Sequence, residues 1–155
     1  MNVRSDGEPT PMKNRTIVER TSDRELVVTR TVDGPAHLVF EAWTKAELFQ
    51  RWWVPKSLGL SLLSCELDVR VGGGYKLVFA HGDAQMAFYG RYLEVIPPSR
   101  LVWTNDEAGE GGAITTVTFE ARIAGTVLRQ AVLNATRASS VRCNSSRYRE
   151  ISSRA

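Results

Sequence analysis

The sequence predicts an α+β domain, in which two short helices lie to one side of an antiparallel sheet. The stretch ELVVTRTV, at Glu25–Val32, is rich in β-branched residues, which favour a strand. The stretch FEAWTKAELFQRWWVP, at Phe40–Pro55, has the apolar spacing of two short helices and holds three of the four tryptophans. Alternating segments separated by short turns follow it, which is typical of an antiparallel meander.

The composition is that of one ordinary domain. The chain has 155 residues, of which 43% are hydrophobic and 24% charged, and such a length buries a core without a disulfide or a metal. No run of about 18 apolar residues is present, and the polar N-terminus lacks a secretory signal. We expect a cytoplasmic protein with a flexible arm at residues 1–22, in which Ile17 and Val18 would fit a short edge strand, and a single domain at residues 23–155.

The basic charge belongs to the C-terminal part of the chain. Residues 1–121 carry 13 Lys and Arg against 16 Asp and Glu, whereas residues 122–155 carry seven Arg and one Glu. The net charge of +3 is therefore not a basic surface on the body of the domain, and no nucleic-acid partner is predicted. Cys65 and Cys143 have no CxxC or metal-ligand spacing, so two reduced thiols are expected, with a bridge between them left open.

The first strand, Glu25–Val32, places Leu26, Val28 and Arg30 on one face. Pro35 suits the first turn of a helix that runs to Trp43, where its missing N–H needs no partner. Thr44 and Glu47 have the spacing of a capping box and predict the start of a second helix, which Pro55 ends.

The remaining elements are predicted strands. Gly90 lies inside one of them and marks a bulge or bend, because glycine in a strand interior often does so. The alternation is clearest in the segment where Val117, Phe119 and Ala121 share a face. The predicted strands are Leu60–Val71, Tyr75–His81, Ala84–Ile96, Arg100–Asn105, Ala113–Arg122 and Thr126–Leu133.

The order of these elements resembles the START-like superfamily (also called SRPBCC or Bet v 1-like), and within it the bacterial relatives of the activator of Hsp90 ATPase, the AHSA1-like group. The resemblance spans Arg24–Phe119 and is carried by VTRTVDGPAHLVFEAWT, LFQRWWVP, LDVRVGGGYKLVF, YGRYLEVIPPSRLVWTN and TTVTF. It implies a helix-grip fold, in which a curved antiparallel sheet grips a C-terminal helix and two short helices close one end of a cavity.

The resemblance also implies that the aromatic residues divide between core and cavity wall. Adjacent residues of a helix point about 100° apart, so one of Trp52 and Trp53 can pack under the sheet while the other faces the cavity or solvent, and two large core residues are the alternative left open. The candidate cavity residues are Phe40, Trp43, Leu48, Trp52, Trp53, Phe79, Phe88, Trp103 and Phe119.

The C-terminal segment departs from the family pattern. From Thr136 to Ala155 the sequence has six Ser and five Arg, with no Leu or Phe, whereas a grip helix buries several large apolar side chains. Ser and Asn favour caps and turns over helix interiors, so the expected C-terminal helix is weak or altered. A frameshifted gene end past about Arg122 and a divergent natural tail both fit residues 122–155.

No catalytic set, cofactor site or metal site is predicted. His37 and His81 each lack a companion group at a diagnostic spacing, and Gly72–Gly74 reads as a hairpin turn rather than a phosphate loop. We expect a protein that binds a small apolar molecule. Two alternatives are a chaperone-activating interaction module, by analogy with eukaryotic relatives, and a polyketide cyclase or aromatase. The weak catalytic candidates for the enzyme are Arg51, Glu66, His81 and Tyr92, and a homodimer is left open.

Overall fold

The structure, a computed structural model, describes residues 16–54, 56–109, 112–123 and 125–134. These residues form eight strands, two α-helices and two short 3-10 turns. The strands are β1 (Thr16–Arg20), β2 (Glu25–Val32), β3 (Ser61–Leu67), β4 (Gly74–His81), β5 (Ala84–Ile96), β6 (Arg100–Asn105), β7 (Ala113–Arg122) and β8 (Gly125–Leu133), and the helices are α1 (Ala36–Thr44) and α2 (Ala46–Trp52).

All eight strands belong to one antiparallel sheet in the order β1-β2-β8-β7-β6-β5-β4-β3. Strands β3 to β8 follow one another as a meander, and β8 then pairs with β2 along its whole length. The two helices connect β2 to β3, which lie far apart in the strand order, so the helical pair crosses one face of the sheet. This arrangement confirms the predicted α+β class with helices on one side.

Most predicted strand bounds are confirmed. The structure reproduces the predicted limits of β2, β5, β6 and β7, and β8 begins at Gly125, one residue before its predicted start. The strand predicted over Leu60–Val71 is too long, because β3 ends at Leu67. After it, the Asp68 amide donates to the carbonyl of Gly74, the first residue of β4, which closes the loop between the two strands.

The predicted start of the second helix is wrong. Thr44 is the last residue of α1 rather than an N-cap, and its hydroxyl donates back to the Phe40 carbonyl at 3.0 Å. Lys45 takes the N-cap position of α2 without a side-chain capping bond, and its ammonium forms a 2.9 Å ion pair with Glu41. Pro35 precedes α1 as its N-cap residue with φ −70°, a value close to the φ that proline imposes.

The sheet changes its pairing partner along β5. Residues up to Arg91 pair with β4, and residues from Tyr92 onward pair with β6, with a register irregularity between Tyr92 and Glu94. Gly90 precedes this irregularity and lies against β6. A Cβ at Gly90 would come within 1.8 Å of the Thr104 carbonyl oxygen. The predicted bend at Gly90 is therefore a point of close approach between two backbones.

The core lies between the helices and the face of the sheet that they cross. Val117 is fully buried and Phe119 is 4% exposed on β7, as the alternation of that strand predicts, whereas Ala121 at its end is exposed. The rings of Phe40 and Phe119 meet edge to face with centroids 5.4 Å apart, a favourable aromatic geometry. This contact ties α1 to the centre of the sheet.

The two ends of the chain extend beyond the described residues. The predicted edge strand at Ile17 and Val18 is present as β1, while residues 1–15 of the predicted arm lie outside the described residues. Residues 125–133 of the segment predicted to be atypical form β8, between β2 and β7. The expected C-terminal helix falls on residues 135–155, also outside the described residues.

Candidate ligand cavity

A cavity of about 400 Å³ lies between the helical pair and the β2–β8 edge of the core. We call it the tryptophan cavity. Its sheet wall consists of Val28, Arg30, Val32, Leu128 and Gln130. Its helical wall consists of Leu38, Val39, Ala42, Trp43, Trp52 and Trp53, and Asp33 and Gly34 lie where the two walls meet.

Trp43 is the centre of the helical wall. Its ring centroid lies 4.8 Å from that of Trp52 and 5.8 Å from that of Trp53, and its other side contacts Trp103 and Phe119 of the sheet at 6.0 Å each. The side chain is 7% exposed. Trp43 therefore joins the core of the sheet to the wall of the cavity.

Trp52 and Trp53 are held by different contacts. The Trp52 Nε1–H donates to the Ala42 carbonyl at 2.9 Å, which fixes the end of α2 against α1. Trp53 stacks on Phe49 with centroids 4.5 Å apart. Both tryptophans are half-buried, both pack against the core and both line the cavity. Trp53 follows the last residue of α2 and keeps helical backbone angles, with φ −67° and ψ −36°.

The sheet wall contains two buried polar side chains. Arg30 is 6% exposed and Gln130 is 4% exposed, on neighbouring strands. Burial lowers the pKa of Arg30 from its ordinary value, because a low-dielectric site disfavours the charged form. The corner of the cavity is fixed by Thr126, whose hydroxyl donates to the Gly34 carbonyl at 2.7 Å.

The nine predicted cavity residues fall into three groups. Trp43, Trp52 and Trp53 line the tryptophan cavity. Leu48 is half-buried on α2 and lies outside its wall. The others belong to the core or pack directly against it: Phe40, Phe79, Phe88, Trp103 and Phe119. Contact between any of the nine and a ligand stays a prediction.

The polar residues of the wall, Arg30 and Gln130, were not among the predicted site residues. The strand pattern placed Arg30 on one face of β2 with Leu26 and Val28, and an arginine on an otherwise apolar strand face is the signal that a buried charge gives. Gln130 had no comparable signal, because both faces of β8 mix polar and apolar residues. Only the pairing of β8 with β2 brings it beside Arg30.

The weak catalytic candidates do not come together at the cavity. Arg51, Glu66 and His81 are exposed on three different elements, and none of them lines its wall. Tyr92 is 5% exposed and packs against Tyr75 and Trp103. Burial, with smaller electrostatic contributions from Cys65 and Asp68, raises the pKa of Tyr92 far above its ordinary value, which keeps its phenol neutral.

The described ranges contain no group of three or more His, Cys, Asp or Glu side chains placed to hold a metal ion. Over the same residues, neither helix has the length and apolar character needed to cross a bilayer. Cys65 is a free thiol, and Cys143 lies outside the described residues.

The comparisons with known proteins agree with this architecture. A family model described as "Activator of Hsp90 ATPase homolog 1-like protein" matches residues 33–142, which includes the helical pair, the meander and β8. The comparison with curated proteins gave no significant match.

Solved structures of bacterial proteins share the fold. A protein from Rhodobacter sphaeroides is similar with a TM-score of 0.77 at 17% identity, over 88% of this chain and 92% of that chain. A protein from Chromobacterium violaceum has a TM-score of 0.73 at 26% identity, over 83% and 91%. An AHSA1-like protein from Aeromonas hydrophila has a TM-score of 0.68 at 20% identity, over 83% and 89%.

Proposed function

We propose that this chain, which belongs to the family of Activator of Hsp90 ATPase homolog 1-like proteins, is a binding protein. The tryptophan cavity would enclose a small, largely apolar molecule. The observation that carries the proposal is the wall itself, where Trp43, Trp52 and Trp53 face a cavity of about 400 Å³.

Size and chemistry both support this function. Ligand sites commonly measure about 300–1,000 Å³ and are lined by apolar and aromatic side chains with a few polar groups. The tryptophan cavity has that volume and that lining, and its indole rings are held by the Trp52 hydrogen bond and by ring packing. A rigid aromatic wall lowers the entropy cost of binding, since its side chains are ordered beforehand and lose little freedom when a ligand binds. A bicyclic aromatic molecule or a short acyl chain fits such a space.

The cyclase and chaperone alternatives have less support. A cyclase needs acid or base groups within hydrogen-bond reach of its substrate, and the four weak candidates do not line the tryptophan cavity. A chaperone partner rests on the family description, and a shared fold does not carry over a partner. A pull-down with Hsp90 as bait tests that alternative directly.

The binding proposal is tested with phenylnaphthylamine, a neutral dye whose fluorescence rises in apolar surroundings. The wild-type protein is expected to bind it saturably. Ala42→Phe fills the cavity from the helical wall, while the Ala42 carbonyl that accepts the Trp52 bond stays in place. We expect this variant to bind the dye at least about tenfold more weakly, because the added ring takes volume that the ligand needs.

The matched control is Ala87→Phe, which adds the same ring at an exposed position of β5. It should leave dye binding unchanged. Leu38→Trp narrows the exposed side of the cavity, where Leu38 is 52% exposed, and gives a second block if Ala42→Phe unfolds. Equal dye affinity in all of these proteins would show that the tryptophan cavity is not the binding site.

A further inference from the structure

The sheet wall of the tryptophan cavity has a polar centre. Arg30 pairs across the sheet with Leu128, and Gln130 pairs with Val28, so the two polar residues are diagonal neighbours on one face of β2 and β8. Diagonal neighbours lie within reach of long side chains. Both side chains are more than nine-tenths buried, and both line the cavity. The polar centre, Arg30 with Gln130, therefore faces the same partly open cavity as the tryptophans.

An arginine in such a place remains charged. Burial lowers the pKa of Arg30, but a guanidinium starts so high that it stays protonated at neutral pH. Keeping a charge in an apolar wall costs stability unless the charge is compensated. A guanidinium also carries five N–H donors in a fixed fork, so Arg30 can bind a ligand group alongside its contacts within the protein.

We infer that the ligand of the tryptophan cavity carries one carboxylate, which the Arg30 guanidinium binds while the apolar body packs against the tryptophans. This inference rests on the proposed binding function and narrows its ligand class to apolar monocarboxylic acids. The fork of a guanidinium matches the two oxygens of a carboxylate. The Gln130 amide lies beside it and can donate to the same oxygens.

The charges around the cavity favour a single negative charge on the ligand. Among the described residues of the wall, Arg30 is the cation, and Asp33 is an exposed carboxylate where the two walls meet. One guanidinium fork matches the two oxygens of one carboxylate, whereas a phosphate monoester would bring close to two charges at neutral pH and would meet stronger repulsion from Asp33. The inference therefore favours a carboxylic acid over a phosphate ester.

The test compares two ligands of nearly equal shape, naphthylacetic acid and naphthylacetamide, by isothermal titration calorimetry. They differ only in the charged group. We expect the wild-type protein to bind the acid at least about tenfold more tightly, because hydrogen bonds to charged groups are stronger than neutral ones. In Arg30→Met, which removes the charge and keeps an apolar side chain of comparable length, we expect this preference to disappear while amide affinity stays within about threefold.

Two further variants distinguish recognition of the carboxylate by Arg30 from an effect of losing any positive charge on the protein. Arg129→Met removes an exposed arginine next to Gln130 in sequence and should keep the wild-type preference. Arg30→Lys keeps the charge without the fork and should keep part of the preference. If Arg30→Met does not fold, Arg30→Lys and the wild-type comparison still decide the question.

The outcomes distinguish the two proposals. Equal affinity of the wild-type protein for acid and amide would overturn the carboxylate inference and leave the binding function standing. A preference for the acid that survives in Arg30→Met would also overturn it, since a group other than Arg30 would then bind the carboxylate. If neither compound binds and phenylnaphthylamine does not bind either, the binding function fails together with the inference.

Discussion

At the scale of single residues, burial decides what a side chain can do. Cys65 lies on β3, half-buried and packed against the core. Burial, followed by the negative charge of Glu47, raises the pKa of the Cys65 thiol to about 11. The thiolate is the reactive form of cysteine, so the folded protein keeps Cys65 in its unreactive form at neutral pH.

We expect Cys65 to react slowly with a thiol reagent in the folded state. In a Cys143→Ser variant, which leaves Cys65 as the only thiol, labelling by dithionitrobenzoate at pH 8 should be about a hundredfold slower than in denaturant, because an unfolded cysteine has a pKa near 8.5. Glu47→Gln should speed native labelling, since it removes one cause of the raised pKa. Equal rates with and without denaturant would contradict the burial of the thiol.

The raised pKa of Cys65 also makes the stability of the folded protein depend on pH. The pKa of Cys65 is higher in the folded state than in the unfolded state, so its contribution is fully present below about pH 8.5. It is lost as the pH rises toward the folded value of about 11, because the unfolded chain releases its proton first. Denaturant unfolding at several pH values should show this decline in wild-type protein and a smaller decline in Cys65→Ala.

Arg30 shows what a sequence argument can and cannot establish for one residue. The alternation of β2 places Arg30 on a face with Leu26 and Val28, and in the structure all three are buried. The apolar face signalled a buried charge, but the strand alone did not determine how deep the arginine lies, because that depends on β8, which pairs with β2 from about 100 residues further along the chain. The sequence therefore predicted the aromatic wall of the candidate site but not its polar centre.

At the scale of elements, the helical pair shows a competition between two local patterns. Thr44 and Glu47 have capping-box spacing, but the Thr44 hydroxyl instead donates to the Phe40 carbonyl within α1. A threonine at the C-terminal end of a helix can donate its hydroxyl to a carbonyl of the preceding turn, just as a threonine at the start of a helix can cap it. The sequence therefore located the break between the helices within one residue but assigned the wrong residue as cap.

Gly90 gives the element-scale prediction. A Cβ there would lie 1.8 Å from the Thr104 carbonyl oxygen and 2.8 Å from a ring carbon of Tyr75. Both neighbours are held, because the Tyr75 hydroxyl donates to that same carbonyl at 3.0 Å. We expect Gly90→Ala to lower the free energy of unfolding by about 2 kcal/mol or more, as overpacking of a fixed site does.

The matched control is Gly34→Ala. No heavy atom lies within 4 Å of a Cβ at Gly34, and its backbone φ is not in the left-handed region. Chemical denaturation should therefore show a change within about 0.5 kcal/mol for this variant, as for a surface substitution. A similar loss in both variants would mean that the cost at Gly90 comes from the general strand or turn propensity of glycine and not from the contact with β6.

At the scale of the whole molecule, the sheet is closed by its last described strand. The meander from β3 to β8 was predictable from short turns, since neighbours in sequence commonly pair. The pairing of β8 with β2 was not predictable from the residues, because no local sequence feature determines which strand pairs with the free edge of another strand. Only the resemblance to the helix-grip fold implied a single curved sheet, and the structure confirms it.

The position of β8 makes a prediction for shortened chains. A chain ending at residue 124 lacks β8, which separates β2 from β7 and pairs with both. Its loss would leave two long strands with unpaired backbone groups and would remove Leu128 from the core cluster. We expect this chain to lose cooperative unfolding, because buried backbone groups without partners are costly.

A chain ending at residue 134 keeps all eight strands and both helices. The core cluster of the described residues lies between Val39 and Leu128, and residues 135–155 contribute few large apolar side chains by composition. Since burial of one such side chain stabilises by about 1.5–3 kcal/mol, we expect this shorter chain to unfold cooperatively at a reduced midpoint. Thermal melts followed by near-ultraviolet circular dichroism compare the two chains with the full protein. Loss of cooperative unfolding in the chain ending at residue 134 would show that the C-terminal segment, despite its composition, is required to complete the core.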